Sequence, residues 1–167
     1  MGEIILIMPY SASLIAAAFV DRSLKERNYL TQMKLQKMVY FAHGYHLAKY
    51  GTPLIEDAVQ AWKFGPVIPQ IYSDYKLYAS DLIKDTRYIS IPYKQLEKEF
   101  NSLSASARDA IDYTWEVTKN LTAAKLSGWT HEPKSPWSQI YNPNDRETVI
   151  SNDLIKQYFT NFLVIAA

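Results

Sequence analysis

Apolar residues recur at helical spacing along most of the chain, and this pattern predicts a protein built mainly from helices. The first predicted helix begins at Ser11 or Ser13, either of which can cap it, and ends near Asn28. The second begins after Thr31 and stops at Gly51, a residue that readily takes the left-handed conformation found after helices. These two helices are the clearest elements in the sequence.

The second helix has one apolar stripe formed by Leu35, Met38, Val39, Ala42 and Leu47. This pattern puts Gln36, Lys37 and Tyr40 off the centre of the buried face. The lysines form a basic strip, for which we expect a solvated face because no arginine stands beside them. That strip consists of Lys34, Lys37, Lys49 and Lys63.

Shorter elements follow, without a linker long enough to separate two domains. Short tracts near 58–62 and 88–92 predict a small two-stranded extended element. The segment Gly65–Pro69 reads as a rigid turn, since proline fixes its own backbone and restricts the residue before it. We expect a compact, mostly α, single-domain fold whose remaining helices cover about 69–79, 94–101, 104–120, 122–128 and 137–141, with a last one after Ser151.

Composition narrows the class of protein. The chain has 167 residues, 18 Lys and Arg, 17 Asp and Glu, and no cysteine. Such a balanced charge argues against nucleic acid as a partner, and the lack of cysteine excludes disulfides and thiolate chemistry. Aromatic residues make up 14% of the chain, including 13 tyrosines, which fits either polar-edged packing or a recognition surface.

The N-terminus does not resemble a targeting or membrane segment. Glu3 precedes the first apolar run, no basic residue occurs before Arg22, and Pro9 interrupts the apolar stretch. We therefore expect a cytoplasmic protein without a membrane partner. Met8 is an alternative start to Met1, which would make the first seven residues an extension outside the fold.

Three histidines are the candidates for metal or acid–base chemistry. His43 and His46 lie three residues apart on the second predicted helix, and His131 precedes a glutamate in a constrained turn. A metal-dependent hydrolase built on these three residues is one hypothesis. Without a zinc-binding motif, structural roles are favoured, and we expect no metal, cofactor or catalytic residue.

The segment Trp62–Val67 is the richest in information, with two aromatic residues around a lysine and then a Gly-Pro turn. It fits a corner of the core, in which Trp62 and Val67 pin the turn beneath the helices. It also fits a groove that receives a peptide segment or an apolar side chain from a partner. Lys63 and Phe64 are compatible with either interpretation.

Several ordered blocks of this chain resemble the Panacea domain, the family of SocA-like antitoxins and phage-associated GepA-like proteins. Residues 30–40, LTQMKLQKMVY, are similar to the family's "LT..KLQKLLY" opening. A second block between Gly44 and Tyr72 also fits, and a third between Leu126 and Trp137 resembles the family's "L...(T/S)H..-PW" segment. The resemblance implies a mostly helical domain over 11–163, preceded by an extension over 1–10. The motif residues for which a structural role is implied are Lys34, Leu35, Gln36, Lys37, Trp62, Gly65, Pro66, Val67, His131, Pro136 and Trp137.

The same resemblance implies a non-enzymatic antitoxin that binds its toxin directly, with the toxin encoded by an adjacent gene. The alternative within the family is an adaptor that delivers the toxin to a AAA+ protease. Tyrosine suits such recognition because it supplies contact area while losing little side-chain entropy. The candidate residues for contact with the partner are Tyr40, Lys63, Phe64, Tyr72 and Tyr75.

Overall fold

One long helix, α2, runs through the middle of the protein, and most other elements pack around it. The computed structural model describes residues 8–86, 89 and 91–166. The elements are α1 (Ala12–Glu26), α2 (Gln32–Tyr50), β1 (Val59–Trp62), β2 (Gly65–Val67), α3 (Pro69–Tyr75) with a 3₁₀ turn (Lys76–Tyr78), α4 (Tyr93–Asn101), α5 (Ala105–Thr118), α6 (Ala123–Thr130), α7 (Pro136–Ile140), β3 (Val149–Ile150) and α8 (Asn152–Ala166).

The mostly helical fold expected from the sequence is confirmed, and several helix ends follow the predicted capping chemistry. Ser11 accepts a hydrogen bond from the Leu14 backbone at the start of α1, and Thr31 accepts one from Lys34 at the start of α2. Gly51 ends α2 with a φ of 75°, in the left-handed region that glycine adopts without strain. Local sequence thus determines where these helices begin and end.

The strands form one small antiparallel sheet in the order β2-β1-β3. In register, Gln60 lies opposite Val67 on one side and Val149 on the other. The predicted strand near 58–62 is therefore present, but its partners are 65–67 and 149–150 instead of 88–92. Residues 88 and 90 lie outside the described residues, as do 1–7 of the predicted extension.

Between its first and last turns, helix α2 is buried on every side, which corrects the expectation of a single apolar stripe. All residues from Lys34 to Leu47 are buried, including Gln36, Lys37 and Tyr40. Helices α1, α5, α6 and α8, together with β2 and α3, pack around it. A helix in this position can carry polar residues only where other elements satisfy their hydrogen bonds.

Helices α2 and α8 approach each other closely at Gly44. Gly44 lies directly beneath the ring of Phe159, which also packs edge-on against Tyr40 and Phe41. Trp129 and Phe162 extend this aromatic cluster. Part of the aromatic excess in the composition is therefore core, and the absence of a side chain at residue 44 allows α8 to pack tightly.

We expect Gly44→Ala to lower the free energy of unfolding by about 2 kcal/mol or more, because the new methyl group would overlap the Phe159 ring. Urea denaturation measures this change. Gly128→Ala is the matched control, since it also lies in a helix and a Cβ there meets nothing within 4 Å. Greater helix propensity should stabilise that variant by up to about 1 kcal/mol. Equal stabilities for the two variants would contradict this account of the α2–α8 contact.

Candidate functional site

Polar side chains on the first turns of α2 hold other elements by their backbone groups. The Lys34 ammonium donates a hydrogen bond of 2.7 Å to the Lys119 carbonyl, at the C-terminal end of α5. A cation is favoured there because the last carbonyls of a helix lack partners and carry partial negative charge. Lys34 is thus buried against α5. The expected solvated strip is wrong for Lys34 and Lys37, which are buried, whereas Lys49 and Lys63 are exposed.

Gln36 takes the place of a fourth strand beside β2. Its side-chain amide donates to the Ile68 carbonyl at 3.1 Å, and its carbonyl accepts from the Ile68 amide at 2.9 Å. This reciprocal pair resembles the two hydrogen bonds exchanged by facing residues in an antiparallel sheet. Because Ile68 is also the residue that precedes α3, the same contact positions the start of that helix.

Lys37 holds the turn between β1 and β2. Its ammonium donates to the carbonyls of Pro66 at 3.0 Å and Phe64 at 3.3 Å, and the residue is only 2% exposed. No carboxylate in the described part of the chain forms an ion pair with it. Burial lowers the pKa of the Lys37 ammonium to about 8, because the charged form is removed from water.

Gly65 permits this close contact between the turn and α2. Its φ is 112°, and a Cβ atom at that position would lie 2.7 Å from the Lys37 ammonium nitrogen. The same atom would lie 3.1 Å from the Thr130 hydroxyl. Backbone conformation and space therefore both require glycine between the two carbonyls that Lys37 binds.

The hairpin formed by β1 and β2 is held on its other side by α7 and by the end of α6. The Trp137 indole donates a 2.6 Å hydrogen bond to the Trp62 carbonyl, and the His131 ring packs on Trp137 with centroids 4.1 Å apart. His131 itself donates through Nδ1 to the Ser127 carbonyl at 2.6 Å. Pro136 is buried in the first turn of α7. These residues hold the hairpin in position, which is the structural role expected for His131.

A cavity of about 690 Å³ opens between the hairpin and the N-terminal half of α2. This volume lies within the range of ligand-binding clefts. The cavity is lined mainly by apolar side chains, to which α2 and two loops add polar and charged groups. Among the lining residues are Met33, Gln36, Lys37, Trp62, Lys63, Phe64, Val67, Tyr72 and Arg146.

Large apolar side chains in this cavity wall are exposed. The exposed fraction is 71% for Phe64, 44% for Tyr72 and 43% for Met33. Exposed apolar groups gathered around one concave surface are typical of sites that bind a partner or ligand. Of the two interpretations of the Trp62–Val67 segment, the groove describes Lys63 and Phe64, which line this cavity.

The structure separates the predicted contact residues into two groups. Lys63, Phe64 and Tyr72 line the cavity, whereas Tyr40 and Tyr75 are each 2% exposed. The last two belong to the core, which corrects the expectation for them, because both lie on helix faces that are covered by other elements. Sequence reasoning missed Arg146, which only the pairing of β1 with β3 brings beside this cavity.

His43 and His46 have their ring nitrogens engaged inside the protein. His43 donates to the Asn152 side chain at 2.9 Å and faces the Ile55 amide at 3.4 Å, and burial lowers its pKa to about 4. His46 donates to the Thr52 carbonyl and accepts from Ser106. No group of three or more potential metal ligands occurs within residues 8–86, 89 and 91–166. These side chains therefore do not form the three-histidine group that the alternative hypothesis of a metal-dependent hydrolase requires.

The residues that assemble the hairpin and its cavity lie largely within a region matched by one family model. The model, "Antitoxin SocA-like, Panacea domain", matches residues 35–138. The chain belongs to this Panacea family. A curated relative, Antitoxin SocA of Caulobacter vibrioides (strain NA1000 / CB15N), is 28% identical over 136 residues, which cover 78% of this chain and 70% of that protein. No solved structure gives a significant match.

Family membership confirms the resemblance inferred from the three sequence blocks. The contacts described above give a structural role to several motif residues. Gln36, Lys37 and Trp137 donate hydrogen bonds to the β1–β2 hairpin or the residue after it, and Gly65 allows its close packing. None of the helices in the described part of the chain has both the length and the apolar character that a membrane span requires.

Because Lys37 is buried, the stability of this protein should increase as the pH rises above about 8. Its pKa is about 8 in the folded protein and 10.5 for an unperturbed lysine, so the unfolded chain binds more protons between these values. The free energy of unfolding should therefore rise by about 1.5 kcal/mol between about pH 8 and about pH 9.5, relative to Lys37→Met.

Urea denaturation of both proteins at the two pH values measures this difference. The comparison with Lys37→Met removes the contribution of the tyrosines and other lysines, which titrate in both chains. Parallel pH profiles for the two proteins would show that Lys37 is not a desolvated ammonium group.

Proposed function

We propose that this protein is an antitoxin that neutralises a protein toxin by direct association in the cytoplasm. The observation that carries the proposal is membership of the SocA-like Panacea family over residues 35–138. The similarity to Antitoxin SocA, which extends over 78% of this chain, agrees with the family model.

The proposal is of a binding protein that catalyses no reaction. Polar residues of the Panacea motif donate hydrogen bonds to backbone carbonyls of the protein itself, as Lys34, Gln36 and Lys37 do. His131 likewise donates to a backbone carbonyl and packs against Trp137. These contacts suit a rigid scaffold better than groups that must exchange protons with a substrate.

The surface best suited to a protein partner is the cavity beside the hairpin. Phe64 and Tyr72 expose large aromatic faces there, and the hairpin that carries Phe64 is fixed on both sides by α2 and α7. A partner that covers them removes apolar area from water without having to order the surface first. Neutralisation would then follow because the bound antitoxin covers surface that the toxin needs.

The natural candidate for the toxin is the protein encoded by the adjacent gene. We expect that protein to arrest growth when it is induced alone in a heterologous bacterium, and co-expression of this antitoxin to restore growth. The two proteins should also co-purify through a tag on either one. A neighbouring protein that is harmless alone, or that stays toxic during co-expression, would contradict the proposal.

The lifetime of the toxin distinguishes occlusion from delivery to a protease. Direct neutralisation predicts that the half-life of the toxin after synthesis is blocked is the same or longer when this protein is present. A half-life that shortens only in cells with an intact AAA+ protease would instead identify an adaptor.

A further inference from the structure

The cavity beside the hairpin is positively charged although the protein as a whole is nearly neutral. The formal net charge of the chain is +1, yet Lys37, Lys63 and Arg146 all line this one cavity. The lining described by the structure contains no aspartate or glutamate. The imbalance of charge is therefore local, and it coincides with the exposed aromatic wall.

Two of these cations are placed against the aromatic walls of the cavity. The Arg146 guanidinium lies 5.3 Å from the centre of the Trp62 ring, and the Lys63 ammonium lies 5.5 Å from the Phe64 ring. Cation–π attraction favours these positions and leaves the N–H groups available for another acceptor. Neither side chain forms an ion pair with a described carboxylate.

The third cation, Lys37, reinforces the preference for a negative group. An ammonium has three N–H donors, and Lys37 spends two of them on the carbonyls of Phe64 and Pro66. A buried positive charge without a counter-ion is stabilised when an anion enters the low-dielectric site beside it. The cavity thus combines apolar walls with cations that have no carboxylate partner among the described residues.

We propose that this cavity receives a segment of the protein partner in which an apolar side chain stands next to an aspartate or glutamate. The apolar side chain packs between Phe64 and Tyr72, and the neighbouring carboxylate pairs with Lys63 and Arg146. This inference rests on the proposed function, and it specifies the chemistry by which the toxin is recognised.

A protein segment fits these features better than nucleic acid does. Nucleic-acid sites present basic residues along an extended surface, whereas the cations here are gathered at a mainly apolar cavity. The apolar area offered by Phe64 and Tyr72 requires an apolar counterpart, which an acidic peptide segment with one large side chain provides.

The first experiment selects random peptides displayed on phage against the full-length protein. We expect the enriched peptides to place aspartate or glutamate next to an aromatic or aliphatic residue. Synthetic versions should bind at least about tenfold more weakly to the Lys63→Glu/Arg146→Glu double variant, because the carboxylate then meets like charges. Their affinity for the unmodified protein should fall as salt is raised.

Lys156→Glu is the matched control for charge reversal. Lys156 is exposed and lies beside Gly51 at the C-terminal end of α2, whereas the cavity is at the N-terminal half of that helix. This variant should bind the peptides as the unmodified protein does. Equal melting temperatures for the three proteins establish that charge, and not unfolding, causes the difference.

Several outcomes overturn the inference. They are the absence of enriched peptides, enrichment of basic or purely apolar sequences, equal binding by the double variant, and tighter binding of single-stranded DNA oligonucleotides than of the peptides.

The same double variant separates the inference from the proposed function. Loss of toxin neutralisation in Lys63→Glu/Arg146→Glu, with Lys156→Glu still active, supports both. Neutralisation that persists in the double variant overturns the cavity as the recognition site and leaves the antitoxin function intact. Charge-sensitive binding of acidic peptides by a protein that neutralises no neighbouring toxin supports the cavity chemistry and contradicts the proposed function.

Discussion

Two side chains of the central helix, Gln36 and Lys37, join it to the β-hairpin through four hydrogen bonds to the backbone of residues 64–68. The rest of the candidate site depends on this connection. Because β2 is the outer strand of the sheet, its free edge would otherwise leave backbone groups without partners in a buried place. The side chains of α2 satisfy these groups and thereby set how far the hairpin stands from the helix.

The side chains that position the hairpin are therefore different from the side chains that expose apolar area in the cavity. Gln36 and Lys37 are buried although they line the cavity, whereas Phe64 and Tyr72 expose their rings in its wall. Burying the Lys37 ammonium costs desolvation free energy, in line with its lowered pKa, and the charge is tolerated because two carbonyls accept hydrogen bonds from it. Because Gln36 and Lys37 bind backbone groups, an exposed side chain such as Phe64 can be substituted while the hydrogen bonds that position the hairpin are kept.

The sequence predicted most of the helices because their ends are set by local chemistry, as at Thr31 and Gly51. The predicted burial of α2 was wrong, because the spacing of apolar residues identifies only an apolar face and places Lys37 on the solvent-exposed side. It also misplaced the partner of β1, because a two-residue strand such as β3 carries no periodic signal. The aromatic excess divides in the same way: Tyr40 and Tyr75 are core, while Tyr72 is exposed, and the local sequence does not distinguish them.

By itself, the sequence determined the family and the helical class, and it singled out the Gly-Pro segment for which a groove was one of two interpretations. Each of these depends on residues close together in the chain, where spacing, caps and the Gly-Pro turn constrain the backbone directly. Only the tertiary structure decided which side chains line the cavity and which cations lie among them. Arg146 reaches Trp62 because β3 pairs with β1 across the chain, and contacts between residues so far apart in sequence exist only after the core has formed.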